Sequence, residues 1–204
     1  MSPPQSQRMI GGQIIVKFAA GTPAHVVYVK ALAGGANSDP LLVRLAARLS
    51  TELEMPLTID RLASGQAFII SVDVDTLMAE LVGYLNARTD IRRARLLDAG
   101  RSAERLYYNP VVAVDFQPDS TMEQALARDS GTRMEAAHGF VTGVGKDTGI
   151  QVSAQLPQRL ELVVDMSTVT TDLLARFKRR PDVEYAQLNV LLQPYGGGVV
   201  TPGQ

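Results

Sequence analysis

The residues that could do chemistry are few in this chain, and their spacing argues against catalysis. His25 and His138 are the only imidazoles among 204 residues. Neither belongs to an H-E-x-x-H helix, which would hold zinc on one face, or to a G-x-S-x-G turn, which would present a serine nucleophile. With no cysteine there is no thiolate nucleophile, no disulfide framework and no Cys-based zinc or iron–sulfur site. The run Gly143-Val-Gly-Lys-Asp-Thr148 has the look of a phosphate loop. That motif requires glycine at 140 and serine or threonine at 147, where this chain has Phe140 and Asp147. The run is therefore read as a flexible loop between a helix and a hairpin. His138 followed by Gly139 reads as a helix C-terminus closed by a left-handed glycine. Carboxylates are scattered along presumed helix faces, so no acid/base pair is proposed. The expectation is a binding protein, not an enzyme, with no cofactor and no metal.

Composition narrows the class of partner. Twenty Lys+Arg against twenty-one Asp+Glu leave a formal net charge of −1, so no overall field draws the chain to nucleic acid or an anionic membrane. Aromatic residues make only 5% of the chain, too few for the base-stacking strands of an RNA-reading sheet. The start, Met1-Ser-Pro-Pro-Gln-Ser-Gln-Arg-Met-Ile10, lacks the apolar stretch of about 7–15 residues of a secretory leader. No later run approaches the ~20 apolar residues of a membrane span. As the sequence stands, a cytoplasmic protein is expected, and a secreted one would need a leader that has been removed.

What positions these residues is a chain that repeats itself. Asp73 and Asp165 each follow an apolar strand and precede a helical pattern. At the same spacing Leu77 matches Val169, Leu81 matches Leu173, Leu85 matches Phe177, Asp90 matches Asp182, Ile91 matches Val183 and Ala94 matches Ala186. Upstream, Ile15-Val16-Lys17-Phe18 matches Ala113-Val114-Asp115-Phe116, with a slightly shorter segment between blocks in the second half. Periodicity predicts strands over 13–18, 57–62, 67–72 and 91–97, with helices over 40–53 and from Asp73 or Asp75 to Ala87. The second half is expected to repeat this with 111–116, a helix from Thr121, then 150–156, 159–164, 168–179 and 183–190.

The order in each half is β-α-β-β-α-β, the ferredoxin-like unit. The predicted fold is α+β: two tandem ferredoxin-like domains, each a four-stranded antiparallel sheet with two helices on one face. The expected boundaries are a flexible N-terminus over 1–12, a first domain over 13–98, a linker over 99–109, a second domain over 110–190 and an extended tail over 191–204. Such a sheet leaves its other face bare, to be solvated or used.

One segment suggests how it is used. Arg180-Pro-Asp-Val-Glu-Tyr-Ala-Gln-Leu-Asn-Val-Leu-Leu-Gln-Pro-Tyr195 resembles the end of a propeptide, or inhibitor domain, of the subtilisin-like serine proteases. In that family a helix stops at a Pro-Asp, an edge strand follows, and the chain runs on into the protease active site. The spacing from Pro181 through Tyr185 to Tyr195 also matches the family, which places Tyr195 just before the scissile bond. The resemblance implies that Leu191, Leu192, Gln193, Pro194 and Tyr195 form a protease-binding tail, with Leu192 and Tyr195 filling the deepest pockets. It further implies that Tyr185, Gln187 and Asn189 make helix-capping and sheet contacts to the protease.

The chain departs from the family where acidic residues commonly cap two protease helices; here stand Gln187, Leu188 and Asn189. The protease's own Asp, His and Ser motifs are absent. The expected function is thus a stand-alone inhibitor or folding chaperone of a subtilisin-like serine protease. The alternative is a tandem ferredoxin-like interaction or ligand-sensing module that self-associates, for which the last fourteen residues would be dispensable.

Overall fold

The computed structural model describes residues 7–34, 39–97 and 109–192. Strand β1 (Gln7–Phe18) is followed by helices α1 (Pro23–Gly34) and α2 (Asp39–Leu53). Then come the hairpin β2 (Leu57–Ala63) and β3 (Ala67–Val72), helix α3 (Val74–Asn86) and β4 (Ile91–Leu97). The second half gives β5 (Val111–Phe116), α4 (Thr121–Leu126), α5 (Ser130–Thr148), β6 (Val152–Gln155), β7 (Leu160–Val164), α6 (Met166–Lys178) and β8 (Val183–Leu192). The fold is α+β, with two four-stranded antiparallel sheets, each carrying helices, consistent with two ferredoxin-like units.

Strand alternation separates the faces of each sheet. Ile14, Val16 and Phe18 on β1 are buried on the helix side with Phe68, Ile70 and Val72 of β3. The intervening Gln13, Ile15 and Lys17 face the side without helices. Phe18 packs edge-on against Phe68 and Phe177, with ring centroids 5.8 and 6.3 Å apart. In the second unit Phe116 meets Phe140 in the same way at 5.3 Å. Buried residues of both units form one continuous core.

The sheets divide the chain differently from the boundaries 13–98 and 110–190. The first sheet has the order β2-β3-β1-β8, and the second β4-β5-β7-β6. Each is the ferredoxin-like order, but the last strand of each comes from the other half of the repeat. Helices follow their strands. Tyr84 of α3 donates to Asp147 of α5 at 2.6 Å and Arg88 lies over the Phe140 ring, whereas Arg180, just after α6, donates to Glu52 of α2 at 2.8 Å. One unit is thus the continuous stretch 74–164. The other combines 7–72 with 166–192.

Each crossing occurs at an aspartate. The Asp73 side chain accepts from the Thr76 backbone and hydroxyl, and Asp165 accepts from Ser167 and Thr168, so each carboxylate caps the helix that leaves the sheet. Gly12 stands beside the second crossing. Its φ of +84° suits glycine, its N–H donates to Thr170 Oγ1 at 2.6 Å, and a Cβ there would lie 3.4 Å from the Met166 methyl.

Residues facing each other across the exchanged strands give the exchange a physical reason. Lys17 is paired in register with Tyr185 and bonds Glu184 at 2.7 Å. Asp115, the equivalent of Lys17, is paired in register with Arg93, and Arg92 takes the place of Glu184. If each half kept its own last strand, Lys17 would face Arg92 and Arg93, and Asp115 would lie beside Glu184. Farther along, Gln13 bonds Asn189 at 2.9 Å, whereas the corresponding pair in the second sheet is apolar, Val111 with Leu97. Each cross-strand preference is worth about 0.2–1 kcal/mol. Together they bias two otherwise similar pairings.

Local differences from expectation have identifiable causes. Helix α1 was not foreseen. Ala24, Tyr28 and Ala31 are buried while Val26, Val29 and Leu32 are exposed, so it is apolar all round and shows no amphipathic period. Helix α5 runs through His138-Gly139 and through the run at 143–148, correcting both the helix end and the loop read there. The left-handed cap is Gly149, at φ 71°. Residues 7–12 belong to β1 instead of a free N-terminus, and Leu191 and Leu192 belong to β8 instead of a free tail. Most of the linker expected over 99–109 lies outside the described residues; Asn109, at its end, accepts from Met166 N–H at 3.1 Å.

The exchange is directly testable in a chain without cysteine. Facing residues of antiparallel strands have Cα atoms about 4.5–5.5 Å apart, within reach of a disulfide. The double variant Lys17→Cys with Tyr185→Cys should therefore close an intramolecular disulfide, detected as a mass loss under non-reducing conditions. Lys17→Cys with Arg93→Cys, the pair that unexchanged halves would bring together, should stay reduced.

Candidate functional site

The residues singled out in the C-terminal segment converge on β8 and the helix-free face of the first sheet. The segment begins with a turn fixed by one ion pair. Arg180 Nε and Nη2 donate to the two oxygens of Asp182 at 2.9 and 3.0 Å, while Nη1 reaches Glu52. This guanidinium holds the Asp182 carboxyl below the ordinary carboxylate range, against the opposing effect of burial. The same fork stands at the equivalent turn of the other unit, where Arg88 donates to Asp90 at 3.0 and 2.9 Å and lowers the Asp90 carboxyl likewise. The turns also bond the exchanged sheets alike: Ala19 N–H donates to Asp182 O, and Gln117 N–H to Asp90 O, both at 2.9 Å.

Beyond the fork, β8 is an edge strand with a register shift between its Lys17 and Phe18 pairings. The shift makes Glu184 the extra residue, and Glu184 turns to Lys17. Tyr185 is then presented on the helix-free face, 39% exposed. Gln187 is exposed on the same face, while Ala186 and Leu188 pack toward the core. Asn189 is engaged within the sheet through Gln13. Leu191 and Leu192 pair with Arg8 and Gln7. Gln193, Pro194 and Tyr195 lie outside the described residues.

The same face carries a polar chain across all four strands. Asn189 Nδ2 donates to Gln13 Oε1 at 2.9 Å, and Gln13 Nε2 donates to Asp60 Oδ2 at 2.7 Å. Asp60 also accepts from Thr58 at 3.1 Å and from the Ser71 hydroxyl. A register shift between Ile59 and Arg61 makes Asp60 the extra residue of β2. The aspartate thus accepts from three side-chain donors, the Gln13 amide and the Thr58 and Ser71 hydroxyls. Sequence reasoning missed this network because its members are ordinary polar residues far apart in the chain. Their polar, outward positions within alternating strands were the available signal.

Nothing among the described residues assembles a metal centre: no group of three or more His, Asp or Glu could hold an ion. No helix among them is long and apolar enough to cross a membrane. A cleft of ≈ 620 Å³ at one end of the second sheet gathers Arg92, Arg93 and Arg159 with Asp115 and Glu123. Arg159 is 3.8 Å from Glu161 and Glu123 accepts from Asp119 N–H at 2.8 Å, so charges of both signs lie together there.

The fork at Asp182 sets a pH dependence with a definite sign. Its carboxyl titrates lower in the folded than in the unfolded state, so its contribution is complete above the unfolded value of about 4 and is lost as pH falls through the folded one. Asp182→Asn should cost about 1 kcal/mol at pH 7. Urea midpoints of wild type and variant should converge as pH is lowered from 7 to about 2. No family model matches the chain, and neither the curated proteins nor the solved structures provide a match.

Proposed function

We propose that this protein is a stand-alone inhibitor of a subtilisin-like serine protease. It would dock the helix-free face of the first sheet on the protease and direct the chain after β8 into the active-site cleft. The observation that carries the reading is β8 itself: an edge strand that presents Tyr185 and Gln187 on the open face and leads straight into Gln193-Pro194-Tyr195. An edge strand offers unpaired main-chain groups to a partner strand, and Pro194 restricts the following chain, which lowers the entropy lost on binding.

The pairing of Leu191 and Leu192 with β1 adds a step to this mechanism. For these residues to enter a cleft between two protease strands, they must exchange Arg8 and Gln7 for the protease. Each hydrogen bond given up costs about 0.5–1.5 kcal/mol net, which the new pairing replaces in kind. Binding the folded state also stabilises it, so one contact serves inhibition and chaperoning alike. Asn189 donates through Nδ2 to Gln13, which leaves the side-chain oxygens of Asn189 and Gln187 as acceptors for a protease helix N-terminus.

The test is inhibition of a subtilisin-type protease, with full-length protein, a truncation after Val190 and Tyr195→Asp compared. Potency lost in both variants is the expected outcome. Equal potency would remove the tail from the mechanism, and digestion of the full-length chain without inhibition would overturn the reading.

A second reading, a self-associating interaction module, is favoured by the outer surface of the helices on the first sheet. Val29 is 50% exposed, Leu32 and Val43 65% each. On this reading wild type sediments as a dimer at micromolar concentration, Leu32→Asp sediments as a monomer, and the truncation after Val190 has no effect.

A further inference from the structure

The second unit contains a groove that the protease reading does not use. A cleft of ≈ 540 Å³ runs between α5 and the edge strand β6. On the helix it is lined by Met134, Ala137, His138, Val141, Thr142, Gly145 and Lys146, a single face at i, i+3, i+4, i+7 spacing over more than three turns. Opposite the helix it is lined by Gln151, just before β6, and by three consecutive strand residues, Val152, Ser153 and Ala154. Side chains of a strand alternate between faces, so three consecutive lining residues place the strand's edge, with its main-chain groups, at the cleft. Among the described residues β6 is paired on one side only, with β7.

The chemistry of the walls selects an occupant. Met134 is 61% exposed, and Val141, Val152 and Ala154 are half-buried, giving an apolar floor. Among the described residues the only ionisable groups lining the groove are Lys146 and His138, and no carboxylate lines it. Lys146 has no ion-pair partner among the described residues, and its neighbour Asp147 turns away to Tyr84. From Met134 to Lys146 the helix rises about 18 Å, the length of about five residues of extended chain.

We propose that this groove binds an extended peptide segment of about five residues as an added strand on β6. Alternate apolar side chains lie over Met134, Val141 and Val152, and an acidic side chain of the peptide pairs with Lys146. Main-chain bonding to a sheet edge supplies affinity, and the alternate pockets supply selectivity. The inference is independent of the inhibitor reading, because no residue of the groove belongs to the first sheet or to β8.

The test is selection of a random heptapeptide library on the full-length protein, half of it displayed with free C-termini and half with internal peptides, followed by NMR titration of the enriched peptides. Enriched sequences should alternate apolar residues and carry a carboxylate. Enrichment confined to the half with free C-termini would assign the carboxylate to a chain terminus and overturn the acidic side chain. Amide shifts should concentrate on Gln151–Gln155 and on α5. The exposed-site variants Met134→Asp and Lys146→Glu, neither of which disturbs the core, should each weaken binding about tenfold or more. Absence of enrichment, equal binding by both variants, or shifts centred elsewhere would overturn the proposal. Self-association of wild type that Met134→Asp abolishes would assign the groove to a second copy and overturn it as well.

Discussion

The structure depends on which strand lies beside β1 and which beside β5. Both candidates, β4 and β8, have the same length of approach, the same Arg-x-Asp turn and the same buried alanine, Ala94 or Ala186. What separates them is a small set of facing side chains. Lys17 meets Glu184 and Tyr185, Asp115 meets Arg93, and Gln13 meets Asn189. Each contact is weak in isolation. They act in concert because a strand pairs as a whole, and the crossing at Asp73 and Asp165 then carries a helix with each strand.

That crossing decides what the candidate site is made of. The helix-free face of the first sheet combines residues from the start of the chain, Gln13 and Lys17, with residues from its end, Tyr185, Gln187 and Asn189. A surface so divided forms only when the whole chain has folded, because the first unit is discontinuous and encloses the second as an insertion. The polar chain from Asn189 through Gln13 to Asp60 and Ser71 ties the contributions together. Its hydrogen-bonded members contribute to a fixed surface, on which Tyr185 and Gln187 stand exposed.

The Pro-Asp segment has a structural role that is distinct from the functional one proposed for it. Asp182 is accounted for by the fold, since it forks with Arg180, and Asp90 does the same with Arg88 where no terminal tail follows. The aspartate alone is therefore a structural feature of the turn. The functional reading rests on what distinguishes β8 from β4: Tyr185 where β4 has Arg93, and the sequence Gln193-Pro194-Tyr195 that follows it. Much of this was legible in the sequence. Alternation gave the strands, and the Asp-x-x-Thr helix caps at 73 and 165 marked the crossings without revealing them, because the caps look the same whether or not the strands exchange. Helix α1 was illegible because apolar residues surround it, and α5 was cut short because Gly139, Gly143 and Gly145 read as breakers. In the helix those glycines meet no close neighbour tighter than ordinary van der Waals contact, so tertiary packing overrides their propensity. The facing charges were visible as residues, but their meaning required the pairing.

The most direct measurement is of cross-strand backbone contacts by NMR in the full-length protein, using two alanines that occupy equivalent places in the repeat. The exchanged fold predicts nuclear Overhauser contacts between Val16 and Ala186 and between Val114 and Ala94. Contacts between Val16 and Ala94, with Val114 against Ala186, would show that each half keeps its own strand. They would contradict both the architecture and the composite face built on it.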